Sequence, residues 1–191
     1  MKNEIVNYYK NNGDEVDNLD KCDYFRIKLL GKGAIVHDSH ALISKDSYNF
    51  VSNYDWYYGV DGYAKCFRKK PTKTTCGRRG GKLHRMLMPR LPKGSGLVID
   101  HINRNRLDNR LSNLRICTAK ENSYNRTKPK NSTSKYKGVR KQKNGKFSAN
   151  LSKDGEIYQI KDLETEVIAA KTYDTLAETY FGEYAGKNFQ T

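Results

Sequence analysis

Residues 97–126 read Leu97-Val-Ile-Asp100-His101-Ile-Asn-Arg-Asn-Arg-Leu-Asp-Asn-Arg-Leu-Ser-Asn113-Leu-Arg-Ile-Cys117-Thr118-Ala-Lys-Glu121-Asn122-Ser-Tyr-Asn125-Arg126, and the reading of the fold starts here. A short apolar run, 97–99, ends on the polar pair Asp100-His101. A loop dense in Asn and Arg follows, then a second short run, 114–117. Thr118 stands three residues before Glu121, the spacing of a capping box that opens a helix. The stretch therefore predicts strand, long loop, strand, helix.

The residue types in that frame suit metal-assisted phosphodiester chemistry. Asp100 offers a hard oxygen of the kind that binds Mg²⁺ or Mn²⁺. His101 can deprotonate water near neutral pH, since an unperturbed imidazole titrates at about 6.5. Asn113 is placed to accept from His101 Nδ1–H, which would leave Nε2 as the base. Asn122 and Asn125 lie three apart on the predicted helix, share a face, and either can aim an amide oxygen at a metal. Strand alternation sends Asp100 and His101 to opposite faces, so the scheme needs the strand to twist or end there.

At these positions the chain resembles the HNH endonucleases of the phage and intron homing type. The residues that carry the likeness are Asp100-His101-Ile102, Asn105, Leu107-Asp-Asn-Arg110, Asn113-Leu-Arg115 and Glu121-Asn122. The resemblance implies a ββα-metal site at about 96–126 in a metal-dependent DNA endonuclease of homing or nicking type. Asp100 and Asn122 would be the metal ligands, His101 the general base, and Asn113 the residue that holds His101. Mg²⁺ or Mn²⁺ is the implied cofactor. Arg104 replaces the Gly that is frequent in the family's turn after the motif histidine. The competing reading is a sequence-specific DNA-binding regulator whose HNH site is inactive.

Composition agrees with a polyanionic partner: the 191 residues carry a net charge of +15, with a sequence pI near 9.6. The resemblance implies that this partner is double-stranded DNA, the substrate. Only 36% of the residues are hydrophobic and the mean hydropathy is −0.90, so the folded units should be small and polar. Between Asp61 and Asp100 no acidic residue interrupts a long series of Lys and Arg. Cys22, Cys66, Cys76 and Cys117 show no C-x-x-C spacing, which disfavours zinc. No apolar stretch approaches membrane-spanning length and no secretory segment is evident. The expectation is a cytoplasmic protein of a phage-infected host cell, with no membrane and no protein partner implied.

The overall expectation is an α+β chain. Residues 1–20, acidic and rich in Asn, read as a flexible start. From Tyr24 a meander of short strands begins. Phe25, Ile27 and Leu29 alternate with polar residues, Gly31-Lys-Gly33 reads as a turn, and Ala34-Ile-Val36 is a further apolar run. Asp61-Gly62 marks a hairpin tip. The aromatics around Trp56 can stack on bases, but in a small domain they read as core. Residues 72–82, rich in Gly, Lys and Arg, read as a basic loop that tracks phosphates. His84 precedes a helix or strand supporting the site and is not assigned to catalysis. His37 and His40 are read as loop residues without a role. Residues 21–128 form the expected nuclease domain, and 129–133, marked by Pro129, the expected linker.

Residues 134–191 carry a different pattern: two strands joined through Lys143-Asn-Gly145, a third after Asp154-Gly155, and a helix over 165–180 stopped by Gly182. Ala169, Tyr173, Leu176 and Tyr180 are the expected buried stripe. A small three-stranded antiparallel sheet packed on one helix follows. Through Ser134-Lys-Tyr-Lys-Gly-Val-Arg140, Gly145-Lys-Phe147, Ala169-Ala-Lys-Thr-Tyr-Asp174 and Asn188-Phe189, this segment resembles the plant ethylene-response-factor (Apetala-type) DNA-binding domain. The resemblance implies that the sheet enters the major groove, with Arg140, Lys141, Lys143, Lys146 and Phe147 as contact candidates. Phe147 stands where that family usually has Trp, and polar Gln159 lies near a second Trp position.

Overall fold

In the structure, a computed structural model, the described residues are 5–11, 13–31, 39–66, 81–129 and 132–189. The apolar run at Ala34-Ile-Val36, His37, Cys76 and most of the basic loop at 72–82 lie outside them. The molecule is mixed α+β, with four small sheets and few helices among the described residues. It divides into two compact units, residues 1–116 and 117–191.

In the first unit, β1 (Ile5–Tyr9), β2 (Glu15–Val16), β3 (Tyr24–Lys28) and β4 (His40–Ser44) form successive antiparallel partners in the order β2-β1-β3-β4. This corrects the expectation of a flexible start over 1–20. Tyr8 and Tyr9 pair with Phe25 and Tyr24, and Tyr9 stacks on Tyr24 at 5.3 Å. The apolar content of Ile5, Tyr8 and Tyr9 was enough for a strand paired on both sides, although acidic residues outnumber it. His40 likewise sits on β4 rather than in a loop.

Period-two alternation on β3 buries Phe25 and Ile27 and exposes Arg26 and Lys28, as the pattern predicts. Ala41 and Ile43 of β4 bury on the same side. After α1 (Tyr48–Val51) come β5 (Trp56–Tyr58) and β6 (Ala64–Cys66), a hairpin through the expected Asp61-Gly62 turn. Trp56 is fully buried and its Nε1 donates to Val51 O at 3.0 Å, so this indole is core and not a base-stacking surface. A short helix, α2 (Leu83–Leu87), adds Leu83 to the same core.

Next comes β7 (Leu97–His101). The long loop expected after it contains a strand, β8 (Asp108–Asn109), which lies parallel to β4 and completes the five-stranded sheet. Leu42 N donates to Leu107 O at 2.9 Å, and Leu111 N to Ser44 Oγ at 2.8 Å. The polar loop is thus stitched onto the apolar sheet by its backbone. β9 (Leu114–Thr118) pairs with β7.

The second unit begins with α3 (Ala119–Tyr124), whose capping box is present in full: Thr118 Oγ1 accepts from Glu121 N and Glu121 Oε2 accepts from Thr118 N. Tyr124 stacks on Phe181 at 3.9 Å, and Lys137 Nζ donates to Tyr124 O at 2.6 Å. These contacts join α3 to the C-terminal segment, so the compact boundary falls well before the expected linker at 129–133. β10 (Val139–Lys141), β11 (Phe147–Lys153) and β12 (Glu156–Leu163) form the expected antiparallel sheet. α4 (Glu166–Phe181) packs on it, capped by Thr165 and ended by Gly182 at φ 55°. Its buried stripe is Ala169, Ala170, Tyr173, Asp174, Ala177 and Phe181, with Leu176 and Tyr180 only half-buried. Small alanines face the sheet because the helix lies close to it. Gly138, at φ 73°, accommodates Tyr173, since a Cβ there would stand 2.0 Å from the ring. Buried Asp174 fastens the closing segment by accepting from Asn188 N at 2.7 Å and Phe189 N at 2.9 Å.

Candidate active site

The site grows from the end of β7. Asp100 and His101 are 8% and 5% exposed. Each residue has its own neighbours. Asp100 Oδ2 accepts from Arg115 Nε at 3.1 Å and Nη2 at 2.8 Å, a side chain sent across from β9. His101 meets the His84 ring edge-on at 4.9 Å, the Tyr63 ring at 5.9 Å, and Asn109 Oδ1 at 3.4 Å from Nε2. Both residues are buried where β7 ends.

The loop 102–113 holds this end of β7 by a polar lattice. Asp108, 1% exposed, takes Arg110 Nε on Oδ1 at 2.8 Å and Arg110 Nη2 on Oδ2 at 2.6 Å, a fork-on-carboxylate pair. Asn103 Nδ2 donates to the same Oδ2 at 2.7 Å. Asn113 Oδ1 accepts from Asn103 N, while its Nδ2 donates to Asn103 Oδ1 and to Asp108 O at 2.8 Å. Its backbone O accepts from Ile102 N at 2.9 Å and so continues the strand pairing beyond His101. Arg104 turns the chain at φ 65°, the left-handed conformation that the family's frequent Gly adopts without strain.

The sequence reading expects Asn113 to hold the His101 ring. Its carboxamide is committed to Asn103 and Asp108, and the acceptor at the ring is Asn109, on Nε2 rather than Nδ1. Burial is the main influence on His101 and holds its pKa below the usual value, with Asn109 and Asp100 opposing it. The ring is neutral at neutral pH.

His84, passed over as non-catalytic in the sequence, is part of this cluster. It is 4% exposed on α2, its ring lies 4.9 Å from Tyr63 and from His101, and its Nδ1 has no hydrogen-bond partner. Burial, aided by the neighbouring His101, Arg85 and Lys82, pushes its pKa down to about 3. Asp108, Asn109, Arg110 and Arg115 carried the family likeness in the sequence without individual roles, and their pairing gave no periodic signal.

A family model described as HNH endonuclease matches residues 85–124. Over 182 residues the chain is 35% identical to the uncharacterized HNH endonuclease L560 of Acanthamoeba polyphaga mimivirus, an overlap of 94% of this chain and 88% of that protein. This chain belongs to the HNH endonuclease family. Protein 3.8 of Escherichia phage T7 is 33% identical over 95 residues, which are 49% of this chain and 78% of its own. No solved structure matches.

As an HNH endonuclease the chain is a nuclease with a nucleic-acid substrate, and the family is generally dependent on a divalent metal. The donors present suit one class of ion. Among the described residues no three His, Cys, Asp or Glu side chains converge, which is not the closed cage that zinc takes. One hard carboxylate, Asp100, suits an ion that keeps water and takes phosphate oxygens, as Mg²⁺ does. Asn122 lies half-buried on α3. Among the described residues no helix is long and apolar enough to cross a membrane.

On the C-terminal sheet, Arg140, Lys141 and Lys143 are exposed. Lys146 is ion-paired with Glu164 at 2.7 Å. Phe147 differs from the expectation of an open contact: it packs toward Val139, Ala169 and Ala170. Paired directly with Lys141, it shares that residue's side of the sheet, and the apolar ring takes the burial available there.

Proposed function

We propose that the chain is a metal-dependent DNA endonuclease of homing or nicking type in which His101 is the general base. The observation that carries this reading is the buried His101 ring, fixed by Asn109 and His84 beside the Arg115-bound carboxylate of Asp100. A neutral imidazole in a fixed orientation can take a proton from water as that water attacks phosphorus. Arg115 holds the Asp100 carboxylate in a fixed orientation. Asp100 would hold a Mg²⁺ or Mn²⁺ ion, with Asn122 carried over from the family resemblance as the second donor. Such an ion polarises the scissile phosphate and stabilises the leaving oxygen.

Residues 134–191 are the proposed recognition module for double-stranded DNA, with Arg140, Lys141 and Lys143 as its exposed cations and Lys146 available when it leaves Glu164. Basic residues on strands suit groove readout.

The test is a plasmid-relaxation assay with Mg²⁺ or with EDTA, run for the wild type and for Asp100→Ala. Relaxation that needs Mg²⁺ and is lost in the variant is expected. Relaxation that persists in EDTA, or a preference for duplex RNA at equal salt, would overturn the reading.

A further inference from the structure

The hairpin tip between β5 and β6 is closed by Gly59 N donating to Tyr63 O at 2.9 Å and Gly62 N to Gly59 O at 2.8 Å. It gathers three cations around one carboxylate. Lys65 Nζ stands 2.9 Å from Asp61 Oδ1 and Lys82 Nζ stands 3.0 Å from Asp61 Oδ2, so each oxygen faces its own lysine. Arg106 reaches the same residue only at its neutral backbone: Nη1 donates to Asp61 O at 2.8 Å. Its guanidinium lies 5.0 Å from the Tyr63 ring, and Lys82 Nζ lies 3.9 Å from that ring.

The other motif arginines behave differently. Arg110 is bound to Asp108 and Arg115 to Asp100. Among the described residues Arg106 has no carboxylate partner, and it is exposed. It is nevertheless held in place, by a carbonyl and an aromatic face, which limits the side-chain entropy that an anion would have to freeze out. The Tyr63 ring that carries it is 4.9 Å from His84 and 5.9 Å from His101. The positive charge of Arg106 also acts on His101.

We propose that Arg106, seated on Tyr63 and flanked by Lys82, is a binding site for a DNA backbone phosphodiester adjacent to the one cleaved at His101. This rests on the nuclease reading for the identity of the polyanion. The planar fork of Arg106 faces two phosphate oxygens, and Lys82 supplies a second, less directional charge.

The experiment measures binding in EDTA, where no cleavage is needed, so its outcome is separable from failure of the nuclease reading. Wild type and Arg106→Gln are titrated with a short target duplex across salt concentrations. A series of duplexes, each carrying one neutral methylphosphonate, follows. Gln keeps a donor for Asp61 O and removes the charge. The expected result is a log–log salt slope smaller by about 0.9, the value of one lost phosphate contact. One methylphosphonate position should weaken the wild type and leave Arg106→Gln unaffected. An unchanged slope, or a variant as sensitive as wild type to every methylphosphonate, would overturn the proposal. If Arg106→Gln melts early, Arg106→Lys serves instead: it should keep the slope and lose affinity, and a lost slope in that folded variant would count against the site.

Discussion

The two units hold their proposed functional residues in opposite ways. In the first, the working side chains are themselves buried: Asp100, His101, Asp108, Asn109, Asn113 and His84 are all under a tenth exposed. In the second, burial belongs to Ala149, Leu151, Tyr173, Ala177 and Phe181, and the basic residues stand outside. A buried polar group must find a partner or cost stability, so the first unit spends its loop on partners. The chemistry gains fixed orientation and the fold becomes dependent on the site. In the second unit the fold rests on apolar packing, and the exposed cations can change without disturbing it.

The sharpest way to break this contrast is Asp108→Ala. It would leave Arg110 without its carboxylate and remove an anchor of Asn103. The expected cost is about 3–5 kcal/mol, the range for removing one partner of a buried pair, read from denaturant melts. A loss under 1 kcal/mol would show that the lattice is decoration. The matching test of the second unit is apolar: Gly138→Ala drives a Cβ into the Tyr173 ring and must also adopt a positive φ. Overpacking and backbone strain together predict a loss of about 2–4 kcal/mol. Near-normal melting would mean that the helix is not packed as closely as described.

His84→Phe separates site from fold. A ring of similar shape replaces a nitrogen that lacks a partner, so stability at neutral pH should rise by about 1 kcal/mol. The pH dependence follows from the depressed pKa of about 3. As pH falls below about 6.5 the unfolded chain protonates first, so His84 costs stability from there down to about 3, by up to about 1.4 kcal/mol per unit. Melts of the variant should lose that part of the slope. The smallest effect is at Asp61. Burial pushes its carboxyl up, but Lys65 and Lys82 together outweigh that and hold it at about 2. Its contribution is complete above about 4 and is lost as pH falls through about 2. Because the group is partly exposed, melts of Asp61→Asn should differ from wild type by under about 1 kcal/mol at neutral pH, and the difference should vanish in acid.

Much of the frame was legible because it is written in periodicity and caps. The Phe25/Ile27 alternation, the Asp61-Gly62 turn, the Thr118/Glu121 box and the Thr165-to-Gly182 helix all follow from local spacing. What escaped was nonlocal. Nothing in the loop's spacing says that Asp108-Asn109 will pair with Leu42 and Ile43 of β4, since parallel pairing leaves no turn in the sequence. The approach of Asn109 to His101 was not legible for the same reason, as identical amides in one loop differ only by what they meet in space. Pro129 drew the expected boundary toward 129–133, whereas the stack of Tyr124 on Phe181 ties α3 to the segment beyond it. A chain cut after Lys130 would lose that support.

The central claim is that chemistry sits in the buried His101 cluster, while the exposed cations of the second unit supply affinity. Cleavage at saturating enzyme and DNA affinity should be measured side by side for His101→Ala and for Arg140→Ala combined with Lys141→Ala and Lys143→Ala. The account predicts that His101→Ala loses about 10²–10⁴ in rate with affinity intact, and that the triple variant binds weakly yet cleaves at the normal rate once bound. A His101→Ala protein that still cuts, or a triple variant that binds normally and cannot cut, would contradict it.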